Sequence, residues 1–266
     1  MRIIGISGRS QAGKNMCGNA ILGEVLSTKI TFNNQPLISD YKIDERGLLY
    51  VPAQISETEV VYGIFDPFNF ERHFVDWANQ FVFPHCKLYS FATLLKEKVC
   101  SDVLGIPLNL VFGDDKAKAQ DSHIPRTAID AFSKTKKKAG VSTDAPPSEY
   151  LSVREVLQFV GTELLRKFYP NVWSEGLLRV ILTEQSELAV VIDVRFPNEV
   201  AAIKDSGGRV IRLLRDPKQG THDSETALDP ENYDQSNFDL IVDNRELSIN
   251  ETKDVVIKYV RELEWI

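Results

Sequence analysis

Short, unbroken apolar runs alternate along this chain with stretches whose apolar residues recur at helical spacing. Arg2-Ile3-Ile4-Gly5-Ile6-Ser7 is the first such run and predicts a buried strand. Runs of the same kind lie at Cys86 to Phe91, Leu188 to Ile192, Arg209 to Leu214 and Phe238 to Asp243. Helices are predicted from Met16 to Leu26, from Phe70 to Phe83 with Phe74, Trp77, Ala78 and Phe81 on one face, and from Ala92 to Leu104. Ser152 with Glu155 and Ser248 with Glu251 are capping boxes. The first opens a helix to Arg166 with Val153, Val156, Leu157, Val160 and Leu164 as its core stripe; the second opens a helix to about Trp265. A further helix is expected over about 171–186, and Pro197 and Gly207-Gly208 bracket another. Strands alternating with helices predict an α/β fold of three layers, with a parallel sheet of about five strands.

Three stretches interrupt this pattern within an expected single domain, 1–266. Residues 28–66 read as an inserted set of β-hairpins, either over the site or as surface decoration. Residues 113–150 read as a flexible loop whose lysine run at 134–138 is a solvated patch, and 215–237 as a mobile lid with few apolar anchors.

Composition narrows the class without naming a chemistry. Hydrophobic residues at 43% and charged residues at 26% fit a soluble globular protein. A net charge of −7 argues against a general nucleic-acid surface. Cys17, Cys86 and Cys100 show neither metal nor disulfide spacing and fit a reducing cytosol. No apolar run approaches about 18 residues, and Arg2 with its strand leads straight into a glycine loop, so neither a membrane span nor a signal peptide is expected.

That loop, Gly8-Arg9-Ser10-Gln11-Ala12-Gly13-Lys14-Asn15, has the strand before it and the helix after it that a phosphate-binding P-loop needs. Its N–H groups can converge on one phosphate while Lys14 adds a point charge. Asn15 stands where a Ser or Thr usually holds Mg²⁺. The alternative, a turn that only caps a helix, is disfavoured because spacing and context agree. Asp193 and Arg195 follow the third apolar run, where such enzymes place a metal-directed carboxylate and a phosphate-pairing arginine; a mere helix cap is the alternative for Asp193, and beside the glycine loop the metal role outweighs it. Arg215 and Asn244 also fall just past strand ends, so these groups share one sheet edge. On the 152–166 helix, Arg154, Gln158, Thr162 and Arg166 recur every four residues beside Gly161; this stripe is either a substrate face or a solvated one. Trp173 is either core or a stacking platform, and His222 in its polar loop has no metal partner in the sequence.

Taken in order, Gly8 to Asn15, Arg154-x-x-x-Gln158-x-x-Gly161-Thr162, Trp173, Asp193-x-Arg195-Phe-Pro-Asn-Glu199, His222-Asp-Ser-Glu225 and Asp243-Asn244 resemble the deoxynucleoside monophosphate kinases of tailed bacteriophages, within the P-loop nucleoside-monophosphate-kinase group. The resemblance spans most of the chain apart from 28–66 and 117–148. It implies transfer of the γ-phosphoryl group of ATP to a deoxynucleoside 5′-monophosphate. It places ATP on Gly8 to Met16 and near Asn244, with Mg²⁺ at Asn15 and Asp193. The acceptor would lie on Arg154, Gln158, Gly161, Thr162, Arg166, Trp173, Asp193, Arg195 and Glu199. Lys14, Arg154, Arg195 and the lid arginine Arg215 would be catalytic. The family often has an acid after the lysine and then Thr, so Asn15 and Met16 depart from its pattern. It further implies a cytoplasmic place, in an infected bacterial host if the chain is of phage origin, with no membrane or nucleic-acid partner and with a homodimer left open. The same motifs, with Leu228-Asp229, also resemble animal-type phosphomevalonate kinase. A non-catalytic nucleotide-binding protein is the alternative that Asn15 and Met16 motivate.

Overall fold

The computed structural model describes residues 1–32, 35–54, 59–129, 149–217 and 223–266. They divide into two compact units, Met1–Phe91 with Ser174–Ile266, and Ala92–Trp173. The strands in chain order are β1 (Arg2–Ser7), β2 (Thr31–Phe32), β3 (Gln35–Pro36), β4 (Lys42–Ile43), β5 (Leu49–Gln54), β6 (Val60–Ile64), β7 (Cys86–Tyr89), β8 (Asp121–Pro125), β9 (Tyr150–Ser152), β10 (Leu188–Val194), β11 (Arg209–Leu213) and β12 (Leu240–Val242).

The first unit is built on a five-stranded sheet in the order β12-β11-β1-β10-β7, with every pair parallel. Its inner strands are the apolar runs of the sequence, because a parallel sheet covered on both faces leaves no side for polar residues. Ile3, Ile4 and Ile6 of β1 and Val190 and Val191 of β10 are all buried. The chain fills one side of β1 with β7 and β10, then crosses to β11 and β12. The connections therefore part at the carboxyl end of β1, where open α/β sheets hold ligands. Helix α1 (Lys14–Thr28) is buried almost all round, which its Cys17, Ala20, Ile21, Leu22, Val25 and Leu26 allow. The C-terminal helix Ile249–Glu262 starts at the expected Ser248–Glu251 capping box and contacts α1. Residues 28–66 form an antiparallel β2–β3 pair and an antiparallel β4-β5-β6 sheet, and Leu49 enters the main core.

The second unit has its own core of Cys100, Ile106, Val111, Leu151, Val153, Val156 and Val160. Helix Val153–Gln158 starts at the Ser152–Glu155 capping box and continues as a π-helix, Phe159–Arg166, in place of the α-helix expected there. Leu94–Val103 is likewise π-helical. Residues 113–129, which the sequence reads as loop, hold a helix at Asp115–Lys118 and strand β8. The Asp114 carboxylate caps that helix through Ala117 N at 2.8 Å, and pairing with β9 orders the polar strand. The lysine run at 134–138 and His222 lie outside the described residues. All three cysteines are buried and unbridged, and burial pushes the Cys17 and Cys86 thiols up to about 12 and that of Cys100 to about 11. Among the described residues, no helix is long and apolar enough to cross a membrane.

Candidate active site

The glycine loop sits at the carboxyl end of β1 and runs into α1 at Lys14. Gly13, at φ 104°, takes the left-handed conformation that lets the chain turn into the helix, and Gln11 at φ 60° shares it without being glycine. The loop from Ser10 borders a cavity of about 550 Å³ together with Asp193, Arg195, Arg215 and Asn244. The sequence-predicted groups from Ser10 to Met16, with Asp193, Arg195, Arg215 and Asn244, therefore meet at one place, whereas Gly8, Arg9 and Glu199 do not line it. Lys14 is buried, and its Nζ donates to the carbonyls of Gly8 and Arg9 at 2.7 and 2.6 Å. Burial, followed by the nearby Arg195 charge, lowers its pKa to about 8.

Asn244 is buried and braces the loop. Its Nδ2 donates to Ala12 O at 2.9 Å, and its Oδ1 accepts from Arg215 N at 2.9 Å. Arg215 in turn donates from Nε to Asn244 O at 3.0 Å and from Nη2 to Leu247 O. The expected lid arginine is thus tied to the loop after β12 while still lining the cavity.

Asp193 accepts from Ser90 Oγ at 2.6 Å and from Phe91 N at 2.9 Å, so its carboxylate caps the helical segment that begins at Phe91, after β7, while lining the cavity. The expected acceptor contact Glu199 is only 2% exposed, and its Oε2 accepts from Arg195 N at 2.8 Å and Phe196 N at 3.1 Å. As placed it holds the backbone under Arg195 and caps helix Pro197–Asp205, rather than offering a carboxylate to a ligand. Arg195 pairs with Glu225, whose other oxygen accepts from Ser10 N in the glycine loop.

A second buried network escaped the sequence reading. Arg212 of β11 is 4% exposed and donates to Ser7 Oγ at 3.0 Å and to Asp229 Oδ1 at 3.1 Å. Arg9 of the glycine loop pairs with Asp229 and Asp216. Leu228 is buried as well, so the described part of 215–237 has more anchors than its composition suggests. The available signal was an arginine inside an apolar strand, which a buried position tolerates only with a partner.

The remaining predicted residues belong to the second unit. Arg154, Gln158 and Thr162 are exposed and Arg166 is half-buried. Arg154 donates to Asp115 at 2.8 Å. The close approach that Gly161 permits is to a side chain of its own unit: a Cβ there would stand 2.7 Å from Leu95 Cδ2. Trp173 is 6% exposed and donates from Nε1 to Gly161 O at 3.0 Å, which makes it a core ring. As placed, neither residue presents a surface to a ligand.

Among the described residues no cluster of three or more His, Cys, Asp or Glu could cage a metal. Asp193 and the exposed Asn15 instead supply two oxygen-bearing side chains beside the loop. That donor set fits Mg²⁺, which keeps most of its waters and binds through one or two protein oxygens plus substrate phosphates. Met16, by contrast, is buried.

No protein-family model matches the chain. Over 90 residues, 28% of this chain and 46% of the relative, it is 37% identical to a protein of Acanthamoeba polyphaga mimivirus named "Putative deoxynucleotide monophosphate kinase". Over 60 residues, 22% of this chain and 24% of the relative, it is 38% identical to the deoxynucleoside-5′-monophosphate kinase of Escherichia phage T5. The chain thus spans less than half the length of either curated relative. By sequence it is a relative of proteins named as kinases of deoxynucleoside monophosphates, the group that its motifs resemble.

Proposed function

We propose that this chain transfers the γ-phosphoryl group of ATP to a deoxynucleoside 5′-monophosphate, giving ADP and the diphosphate. The observation that carries this reading is the convergence of the glycine loop, Lys14, Asp193, Arg195 and Arg215 on one cavity at the sheet's switch point. Phosphoryl transfer asks for in-line positioning and for positive charge around the moving group, and Lys14, Arg195 and Arg215 can supply that charge.

In this reading the polyphosphate replaces the carbonyls of Gly8 and Arg9 as partner of Lys14. Loop N–H groups hold the β-phosphate, as helix N-termini do for anions. Asp193 and Asn15 would hold Mg²⁺, which would supply positive charge against the negative charge that develops on the phosphates. A phosphate oxygen of the acceptor attacks the γ-phosphorus while the bond to the β-bridging oxygen breaks. Arg195 and Arg215 steady the equatorial oxygens. The stripe of exposed Arg154, Gln158 and Thr162 with half-buried Arg166 is the acceptor surface of this proposal, with Arg154 pairing its phosphate.

Trp173 and Gln158 are the residues that favour a base over a smaller phosphate ester; Trp173 is buried and Gln158 exposed, so phosphomevalonate belongs in the test. The experiment is a coupled assay of ADP release from MgATP with each deoxynucleoside monophosphate and with phosphomevalonate. Turnover with one or more deoxynucleotides is expected. Turnover with phosphomevalonate alone would move the acceptor, and ATP binding without turnover in any well would make the chain a nucleotide-binding protein that does not transfer phosphate.

A further inference from the structure

The inserted strands carry a turn to the wall of the same cavity. Asp44, Glu45, Arg46, Gly47 and Leu48 join β4 to β5. The Asp44 Oδ1 accepts from Arg46 N at 2.9 Å and Leu48 N at 2.8 Å, which closes the turn. Gly47, at φ 79°, lies so near α1 that a Cβ would stand 2.9 Å from that of Met16. Its carbonyl accepts from the buried Asn19 Nδ2 at 2.8 Å. The turn is therefore seated on the first turns of α1, in fixed relation to Lys14 and Asn15. Glu45, Arg46 and Gly47 line the cavity beside the glycine loop.

The cations of this cavity differ in how tightly they are held. Lys14 is bound by two carbonyls, Arg195 by Glu225, and Arg215 by Asn244 and Leu247. Arg46 donates from Nε to Asp44 at 3.1 Å and from Nη2 to Tyr50 Oη at 3.3 Å, and its side chain remains 70% exposed. Such an exposed pair holds weakly, so the guanidinium can exchange a carboxylate for a phosphate at small cost. Its planar fork matches two phosphate oxygens. We propose that the Asp44–Gly47 turn is part of the nucleotide site and that Arg46 donates to the polyphosphate of bound ATP. This rests on the proposed function only in taking the cavity to be a polyphosphate site; it does not depend on which acceptor is used.

The test is calorimetric titration of the full chain with MgATP and with inorganic tripolyphosphate, for the wild type, Arg46→Ala, Arg46→Lys and, as a control far from the cavity wall in sequence, Arg72→Ala on Arg72–Phe81. Thermal midpoints are recorded alongside. Arg46→Ala should bind both ligands about tenfold more weakly at an unchanged midpoint. Arg46→Lys should fall between it and the wild type, and Arg72→Ala should match the wild type. Wild-type affinity for both ligands in Arg46→Ala would overturn this proposal and leave the kinase reading standing. Weakened binding in a protein that phosphorylates no deoxynucleotide would uphold it and remove the acceptor. A wild-type chain that binds neither ligand would overturn both.

Discussion

Three arginines near the glycine loop in the first unit and Arg154 in the second are held in opposite conditions. In the first, the side chains of Arg9, Arg195 and Arg212 are 22%, 32% and 5% exposed, and each faces a carboxylate from residues 216–229. In the second, Arg154 is 46% exposed and its partner Asp115 is 95% exposed. Buried pairs are fixed in place, and removing one partner leaves a charge that nothing else neutralises. Exposed pairs are screened by water and are worth about 0–1 kcal/mol. The difference teaches that around the glycine loop the residues of the proposed site are tied to the stability of the fold, whereas on the 153–166 segment a side chain can change partners without cost to the fold.

The largest effect that would sharpen this contrast is Lys14→Ala. Turnover should fall by about a thousandfold, since the variant loses the charge on the transferring phosphates. Near-wild-type turnover would remove the glycine loop from the chemistry. Next is Asp229→Ala, which strands Arg212 in the core and should cost about 3–5 kcal/mol in denaturant unfolding. Asp115→Ala should cost under about 1 kcal/mol in the same measurement. Equal losses would break the comparison between the units.

A third prediction concerns pH. Lys14 has a folded pKa of about 8 against an ordinary 10.5, so between these values the folded state holds fewer protons than the unfolded one. Its contribution to stability therefore rises with pH across that window, and a Lys14→Met variant should lose the rise. ATP affinity should run the other way, weakening above pH 8 as the free amine sheds its charge. Titration near pH 8.5 in buffers of different ionisation enthalpy should detect proton uptake on binding. Its absence would mean that Lys14 stays charged in the empty site. The smallest effect is expected for Arg154→Ala: an acceptor KM raised about tenfold, with unchanged ATP affinity and melting temperature. A drop in ATP affinity instead would remove the 153–166 stripe from acceptor binding.

The central sheet and the glycine loop were legible because their signals are local. Unbroken apolar runs mark strands buried on both faces, and capping boxes at Ser152 and Ser248 mark helix starts to the residue. What escaped depends on partners distant in sequence. Arg212 meets Asp229 across a connection, and Gly47 meets Met16 and Asn19 across the whole of α1. Glu199 reads as a ligand group by type, but its place three residues into a helix sends it to the backbone of Arg195 and Phe196. Residues 113–129 look like loop because their composition is polar, and pairing with β9 overrides that tendency. Trp173 could not be assigned from spacing, since a core ring and an open platform share the same helical position.

The buried cysteines have a practical consequence. Thiols that titrate near 11 to 12 are almost wholly protonated at neutral pH, and the protonated form does not attack electrophiles. Labelling can then proceed only through moments when the surrounding structure opens. Cys17 and Cys86 lie in the first unit and Cys100 in the second. Mass-resolved alkylation with a slow reagent therefore times the opening of each unit separately, in the wild-type chain and without any introduced probe. Added ATP should slow the Cys17 clock, because that thiol sits three residues beyond Lys14 on the helix that the phosphates would cap.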